Sequence, residues 1–258
     1  MRIALLSDIH GNTIALDAVL ADIQRQGVDE YWLLGDYVAI GHDPLGALER
    51  LSKLPNAHFI HGNTDRYVTS DESPKEWIEG VKNDINQLPQ LVAVTKSMAW
   101  TCGAISVGGW FDWLSALPLE QRTTLPNGTL VLGVHASPGT DDGEGMQPVM
   151  SDEKLWELFK GCEADLVFVG HTHFWQDRAV NNVRIVNLGS VSNPLPPDLR
   201  ASYIILNADA KGYTLEHRLV NYDHEAVIAA MHKIKHPAAS YVELHMRGKR
   251  LPSWEIKK

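Results

Sequence analysis

The sequence predicts an α/β fold built on parallel strands and finished by antiparallel ones. Three observations predict it. Three strand–loop–helix units follow one another in the first third of the chain, which implies parallel strands joined by right-handed crossovers. Short apolar runs recur further on, and each stops abruptly at an acid, an amide or a histidine. Near the C-terminus, Tyr203-Ile204-Ile205-Leu206 and Thr214-Leu215-Glu216-His217 flank Asp209-Ala210-Lys211-Gly212, a hairpin turn signal.

The elements follow in order. Arg2-Ile3-Ala4-Leu5-Leu6-Ser7 is the first strand and leads into Asp8-Ile9-His10-Gly11-Asn12. Residues 13–25 form an amphipathic helix with Ile14, Ala18, Val19 and Ile23 near helical spacing; Asn12 or Thr13 caps it and Gly27 ends it. Tyr31–Leu34 is a strand that stops at Gly35-Asp36-Tyr37. Pro44 opens a helix carrying Leu45, Leu48, Leu51 and Leu54. His58-Phe59-Ile60 then ends in His61-Gly62-Asn63-Thr64-Asp65. Residues 66–125 break the rhythm. They read as a helical insertion over part of the sheet's end, within one domain spanning 1–258. Trp77, Trp100, Trp110 and Trp113 sit there among Leu, Ile and Val, which favours core residues over a ligand cage.

The strand pattern resumes with Leu130–Val134, which stops at His135-Ala136-Ser137-Pro138. The Gly- and Asp-rich loop 139–145 reads either as a solvated loop or as a flap over a site. Residues 152–160 look helical, and Leu166–Val169 ends in Gly170-His171-Thr172-His173. Val183–Val186 is a further strand, Asp223–Ile234 the last helix, and the tail beyond Pro237 shows no pattern.

Composition bounds the function. With 258 residues, 44% hydrophobic and 21% charged, the chain is an ordinary globular protein. No apolar run approaches the ~20 residues that span a bilayer. The N-terminal run is too short for a signal peptide. Cys102 and Cys162 form no metal-site or disulfide pattern and read as buried free thiols in a reducing cytoplasm. A formal net charge of −9 argues against stable nucleic-acid binding. It leaves a small phosphate ester open as substrate, because divalent cations reverse the local charge.

The strand ends carry the chemistry. One Asp-x-His alone could be a capping acid beside a surface histidine. Five strand ends with the same grammar supply Asp8, His10, Asp36, Asn63, His135, His171 and His173. In one sheet, all seven would converge on one edge. The donors are nitrogen and oxygen without sulfur, which suits Mn, Fe, Zn, Ni or Co and excludes a thiolate zinc site. Seven donors exceed one tetrahedral ion. Two ions sharing a carboxylate fit better, as in sites that clamp both oxygens of an in-line displacement.

Together, Asp8-Ile9-His10-Gly11-Asn12, Gly35-Asp36-Tyr37-Val38, Gly62-Asn63-Thr64-Asp65, His135 and Gly170-His171-Thr172-His173 resemble the calcineurin-like metallophosphoesterases, in particular their small bacterial and archaeal phosphodiesterase branch. The resemblance covers about residues 1–220. It implies a four-layer α/β/β/α sandwich and a dinuclear metal-dependent phosphoesterase in which a metal-bound hydroxide attacks phosphorus. It implies one ion on Asp8, His10, Asp36 and His173, and a second on Asp36, Asn63, His135 and His171. Asn12 is then a substrate-binding candidate. Most of the family has His where this chain has Thr64, and a Thr hydroxyl gives up no proton near neutral pH. His42 and His61 are the candidates to replace it, against a plain surface or supporting role. Asp65 either stabilises its turn or orients a ligand. Arg66, Arg178 and Arg184 either grip phosphate or are solvated. The expected substrate is a small phosphodiester or nucleotide-type ester. A serine/threonine protein phosphatase, a dinucleoside polyphosphate hydrolase and a non-catalytic scaffold are the alternatives.

Overall fold

Strand β1 (Arg2–Leu6) is apolar on both faces because both faces are covered. Ala4 and Leu6 point toward helices, while Ile3 and Leu5 point into a second sheet. This alternation organises the computed structural model, which describes residues 1–72, 74–250, 252 and 254.

The first sheet has the order β10-β9-β1-β2-β3. β1 is parallel to β2 (Glu30–Leu34), and β2 to β3 (Ala57–Ile60). Helices α1 (Thr13–Gln26) and α2 (Pro44–Leu51) make the crossovers. The long hairpin β9 (Ala201–Asp209) and β10 (Gly212–Val220) continues the sheet antiparallel on the other side of β1. Its turn is the one expected at 209–212.

The second sheet contains β5 (Leu130–Val134), β6 (Leu166–Val169) and β8 (Val183–Asn187) in parallel. The polar strands β4 (Glu120–Thr124) and β7 (Gln176–Val180) close its edges antiparallel. Helix α7 (Asp152–Phe159) links β5 to β6.

Three cores define four layers. Between the sheets, Ile3, Leu5, Trp32 and Leu34 meet Leu166, Phe168 and Val186. The outer face of the first sheet packs on α1, α2 and the later helices, and that of the second on α7. The fold is the α/β/β/α sandwich that the resemblance implies.

Two expectations change. The stretch 66–125 is helical in α3 (Asn63–Thr69), α4 (Lys75–Asn83), α5 (Leu88–Val107) and α6 (Phe111–Ser115), but it ends in β4. The sequence Glu-Gln-Arg-Thr-Thr shows no apolar alternation, because an edge strand is fixed by its partner's backbone rather than by burial. Helix α8 (His224–Lys233), capped by Asp223, is not the last. Helix α9 (Ala239–Met246) packs beside it, with Val242 and Met246 buried. The strands carrying the site are divided between the two sheets, as the four-layer sandwich implies.

Trp77, Trp110 and Trp113 pack against the core, the last edge-on to Phe59 at 5.2 Å, whereas Trp100 stays partly exposed against His236. Both cysteines are free; Cys162 is buried as expected, whereas Cys102 is only half-buried on α5. No helix among the described residues is long and apolar enough to cross a membrane.

Candidate metal centre

The C-terminal ends of β1, β2 and β3 and of β5 and β6 open at the same side of the sandwich. Asp8, His10, Asp36 and Asn63 come from the first sheet; His135, His171 and His173 come from the second. Cross-sheet hydrogen bonds hold the two rims in register: the His171 N–H donates to Asp8 Oδ2 at 3.1 Å, and the Ser192 N–H donates to the Asp8 carbonyl at 3.0 Å.

All seven side chains meet. Asp8 Oδ1 lies 3.1 Å from His173 Nε2, which is 3.2 Å from His10 Nε2. Asp36 Oδ2 stands between the halves, 3.7 Å from His10 Nε2 and 3.4 Å from His135 Nε2. Asn63 Oδ1 then lies 3.1 Å from His135 Nε2 and 3.0 Å from His171 Nδ1. Two sets have donor atoms all within 4.8 Å of one another: Asp8 with His10 and His173, and Asp8 with Asp36 and His135.

The backbone is bent to achieve this. Asp8, His10, Asp36, His171 and His173 all have positive φ, between 48° and 68°. Left-handed backbone costs a residue with a Cβ about 1–2 kcal/mol, and such strain persists where the surroundings over-determine it. Close approach also needs glycine. A Cβ on Gly62 would fall 2.2 Å from Asp36 Oδ1, and one on Gly170 would fall 2.0 Å from Ser7 Oγ.

Each imidazole is aimed by its other nitrogen. His10 Nδ1 faces the Ala39 carbonyl at 3.2 Å, His135 Nδ1 the Leu34 carbonyl at 2.7 Å, and His173 Nδ1 the Asn193 carbonyl at 3.0 Å. His171 is turned the other way, with Nε2 at 2.7 Å from the Gly143 carbonyl. A carbonyl only accepts, so the nitrogen facing it carries the proton and the opposite nitrogen presents a lone pair. Lone pairs of His10 and His173 thus face each other, and the Asn63 oxygen faces two more. Asp8 Oδ1 is buried without a hydrogen-bond partner. Acceptors turned toward acceptors in a buried pocket fit a cation, and a nitrogen and oxygen donor set fits the divalent transition metals.

The electrostatics divide the rings: a neutral ring presents its lone pair, whereas on a ring that Asp36 or Asp8 favours as charged a cation would have to displace a proton. Burial pushes His10 down to about 4 against the pull of Asp36, and it lowers His171 as well. Burial works the same way on His135, but Asp36 outweighs it and raises the group to about 10; Asp8 likewise raises His173. Both carboxyls are held below their usual range despite burial, Asp8 chiefly by His173 and Asp36 chiefly by His135.

The surrounding candidates divide. Asn12 Oδ1 caps α1 by accepting from the Ala15 N–H at 3.1 Å, and its Nδ2 is buried without a partner. Asp65 accepts from the N–H groups of Asp36, Tyr37 and Gly62 at 2.7–3.0 Å, so it stabilises the turn and orients Asp36 together. The Thr64 N–H donates to Asp36 Oδ1 at 2.9 Å, while its hydroxyl is buried and unpartnered. His61 Nδ1 pairs with Asp141 at 2.9 Å, and His42 Nε2 lies 3.2 Å from Thr13 Oγ1. Among the described residues, no hydrogen bond or ion pair joins either ring to the seven. Arg66 grips Asp141 with two nitrogens, Arg178 binds Asp152 and the Met150 carbonyl, and Arg184 binds Asp177 in a solvent-exposed pair, so all three already hold partners of their own rather than phosphate. Arg66 and the Gly143–His171 contact pin loop 139–145 against the centre.

Sequence reading missed His245 and Arg250. A cavity of about 190 Å³ lies over the centre, and His171, His173, His245 and Arg250 line it. The one signal was the i, i+4 pair Tyr241 and His245 in the unpatterned tail, whose rings lie 5.1 Å apart on α9.

The model of the calcineurin-like phosphoesterase superfamily domain matches residues 1–211. An uncharacterized protein of Methanocaldococcus jannaschii is 30% identical over 243 residues, covering 86% of this chain and 88% of its own length. Among solved structures, a hypothetical protein from Pyrococcus horikoshii superposes with a TM-score of 0.76 at 21% identity, over 97% of this chain and 99% of its own. A metallophosphoesterase from Sphaerobacter thermophilus does so with 0.71 at 24% identity, over 97% and 100%. The two structures share the fold. The domain match, with the geometry above, shows that the chain belongs to the calcineurin-like phosphoesterase superfamily and is a metal-dependent phosphoesterase.

Proposed function

We propose that the protein is a cytoplasmic dinuclear enzyme that hydrolyses small phosphate esters, namely phosphodiesters or nucleotide-type substrates. The reading rests above all on the facing lone pairs of His10, His173, His135, His171 and Asn63 around two buried carboxylates. Asp8, His10, Asp36 and His173 would hold one divalent cation. Asp36, Asn63, His135 and His171 would hold the other, with Asp36 shared. Mn, Fe, Zn, Ni or Co suits these donors. Bound there, such cations supply Lewis acidity toward phosphoryl oxygens and make water nucleophilic at neutral pH.

The chain's own contribution is rigidity. Four backbone carbonyls orient the four rings, and the Thr64 N–H holds Asp36, so the donors need no reorganisation when substrate arrives. The cavity's covering by α9 and the residues after it favours a compact ester over a serine or threonine phosphate on a protein surface. The free Cys102 and Cys162 fit a reducing cytoplasm.

The test strips the protein of metal, adds back Mn, Ni, Co, Zn or Mg separately, and follows an activated phosphodiester and an activated phosphomonoester. Metal-dependent diester hydrolysis that falls by two orders of magnitude or more in Asp36→Asn, about 3 kcal/mol of barrier, supports the proposal. Monoester preference moves the reading to a phosphatase. No turnover with any metal, despite bound ions, overturns it in favour of a scaffold.

A further inference from the structure

The cavity over the centre is only half built by the matched domain. His171 and His173 form its floor. Tyr241, His245 and Arg250, all beyond residue 211, form its roof, and Trp77 of α4 closes one side. Two roof residues, His245 and Arg250, have side chains with no hydrogen-bond partner among the described residues.

His245 is 3% exposed, and neither ring nitrogen has a hydrogen-bond partner among the described residues. The Pro194 backbone is close enough to act on the ring, but no hydrogen bond of normal geometry joins them. The His245 ring centroid is 6.3 Å from that of His173. A buried imidazole is costly unless something meets it.

Arg250 is exceptional among the eleven arginines. Each of the other ten donates to a carboxylate or a backbone carbonyl. Arg250 has no such partner among the described residues, and its guanidinium lies 5.6 Å from the centre of the Tyr241 ring. In a chain of net charge −9, an arginine that pairs with no carboxylate among the described residues and lines a cavity is arranged for an anion from outside, although Glu144 lines the same cavity.

We infer that His245 and Arg250 form the phosphate-recognising wall of this site, so that a small phosphate ester is held between the histidine cluster and the C-terminal segment. This rests on the hydrolase reading above and names what the bound ester touches. The guanidinium fork matches two phosphate oxygens, and the imidazole N–H donates to a third or to the ester oxygen. Tyr241 and Trp77 flank the esterified group. A cavity of about 190 Å³ admits a phosphate with a compact substituent, below the usual range for drug-sized ligands.

The test measures inorganic phosphate binding to metal-loaded protein by calorimetry, with metal content and melting temperature determined for each variant. Arg250→Met and His245→Asn should each weaken phosphate binding on the order of tenfold to a hundredfold at unchanged metal content. Arg250→Lys should recover part of the loss. Arg247→Met, which removes an exposed arginine held by Glu243 and Glu225, should stay within about twofold of wild type. On the diester, KM should rise more than kcat falls in Arg250→Met. Wild-type phosphate affinity in both Arg250→Met and His245→Asn overturns the wall, whatever the turnover. Loss of phosphate binding in those variants, in a protein that hydrolyses no ester, supports the wall and overturns the hydrolase reading instead.

Discussion

Five residues at the strand ends hold left-handed backbone, and all five are among the seven whose side chains converge. The strain is local, and close packing maintains it. Gly62 shows how tight the tolerance is, since the space for a Cβ is already filled by Asp36 Oδ1. Gly62→Ala should displace that carboxylate and weaken divalent-metal binding by about ten- to a hundredfold, read by calorimetric titration. Its unfolding midpoint should fall as well, because the same Cβ would lie 2.6 Å from the Asp36 backbone nitrogen. At this scale the sequence was most informative, because each apolar run ends where its chemistry begins. It could not show that His171 binds its carbonyl through Nε2 while the other three rings use Nδ1. That choice is made by where Gly143 lies, and Gly143 belongs to a loop whose path no periodicity encodes.

At the scale of elements, α1 is tied to the hairpin by Asp22, which accepts from Arg218 at 2.7 Å, Tyr203 at 2.7 Å and Arg25 at 2.8 Å. Arg218 is the chief cause of its carboxyl being lowered to about 2 from its ordinary 3.8. A carboxyl depressed in the fold adds stability above its unfolded value and loses it as pH falls toward the folded one. Asp22→Asn should therefore cost about 1–3 kcal/mol at pH 7, and the difference from wild type should shrink between pH 4 and pH 2 in denaturant unfolding. A constant difference over that range would contradict the linkage. The elements that escaped the sequence reading share one property. β4 and β7 are polar edge strands, and α9 is a short helix held by packing on α8 and α5. Each takes its conformation from a neighbour, so its own residues carry little periodic signal.

For the whole molecule, the two sheets meet over an apolar core in which Phe168 is fully buried. Phe168→Ala should cost about 3–5 kcal/mol of unfolding free energy. The parallel-then-antiparallel order of strands was legible. The resemblance implied a division between two sheets, but which strand joins which was not legible, because buried alternation looks the same in either. The centre straddles that division, so a bound cation would link the sheets directly. Chelation should lower the melting temperature and re-addition should restore it, by about 2.7 kcal/mol at a hundredfold excess over Kd.

The most direct test of the account counts the ions. Metal-stripped protein would be titrated with Mn or Zn while bound metal and diester hydrolysis are followed together. The account predicts two equivalents per chain, with hydrolysis appearing as the second is filled and both lost in Asp36→Asn. Saturation at one equivalent, or full binding and hydrolysis in Asp36→Asn, would contradict a shared two-ion centre.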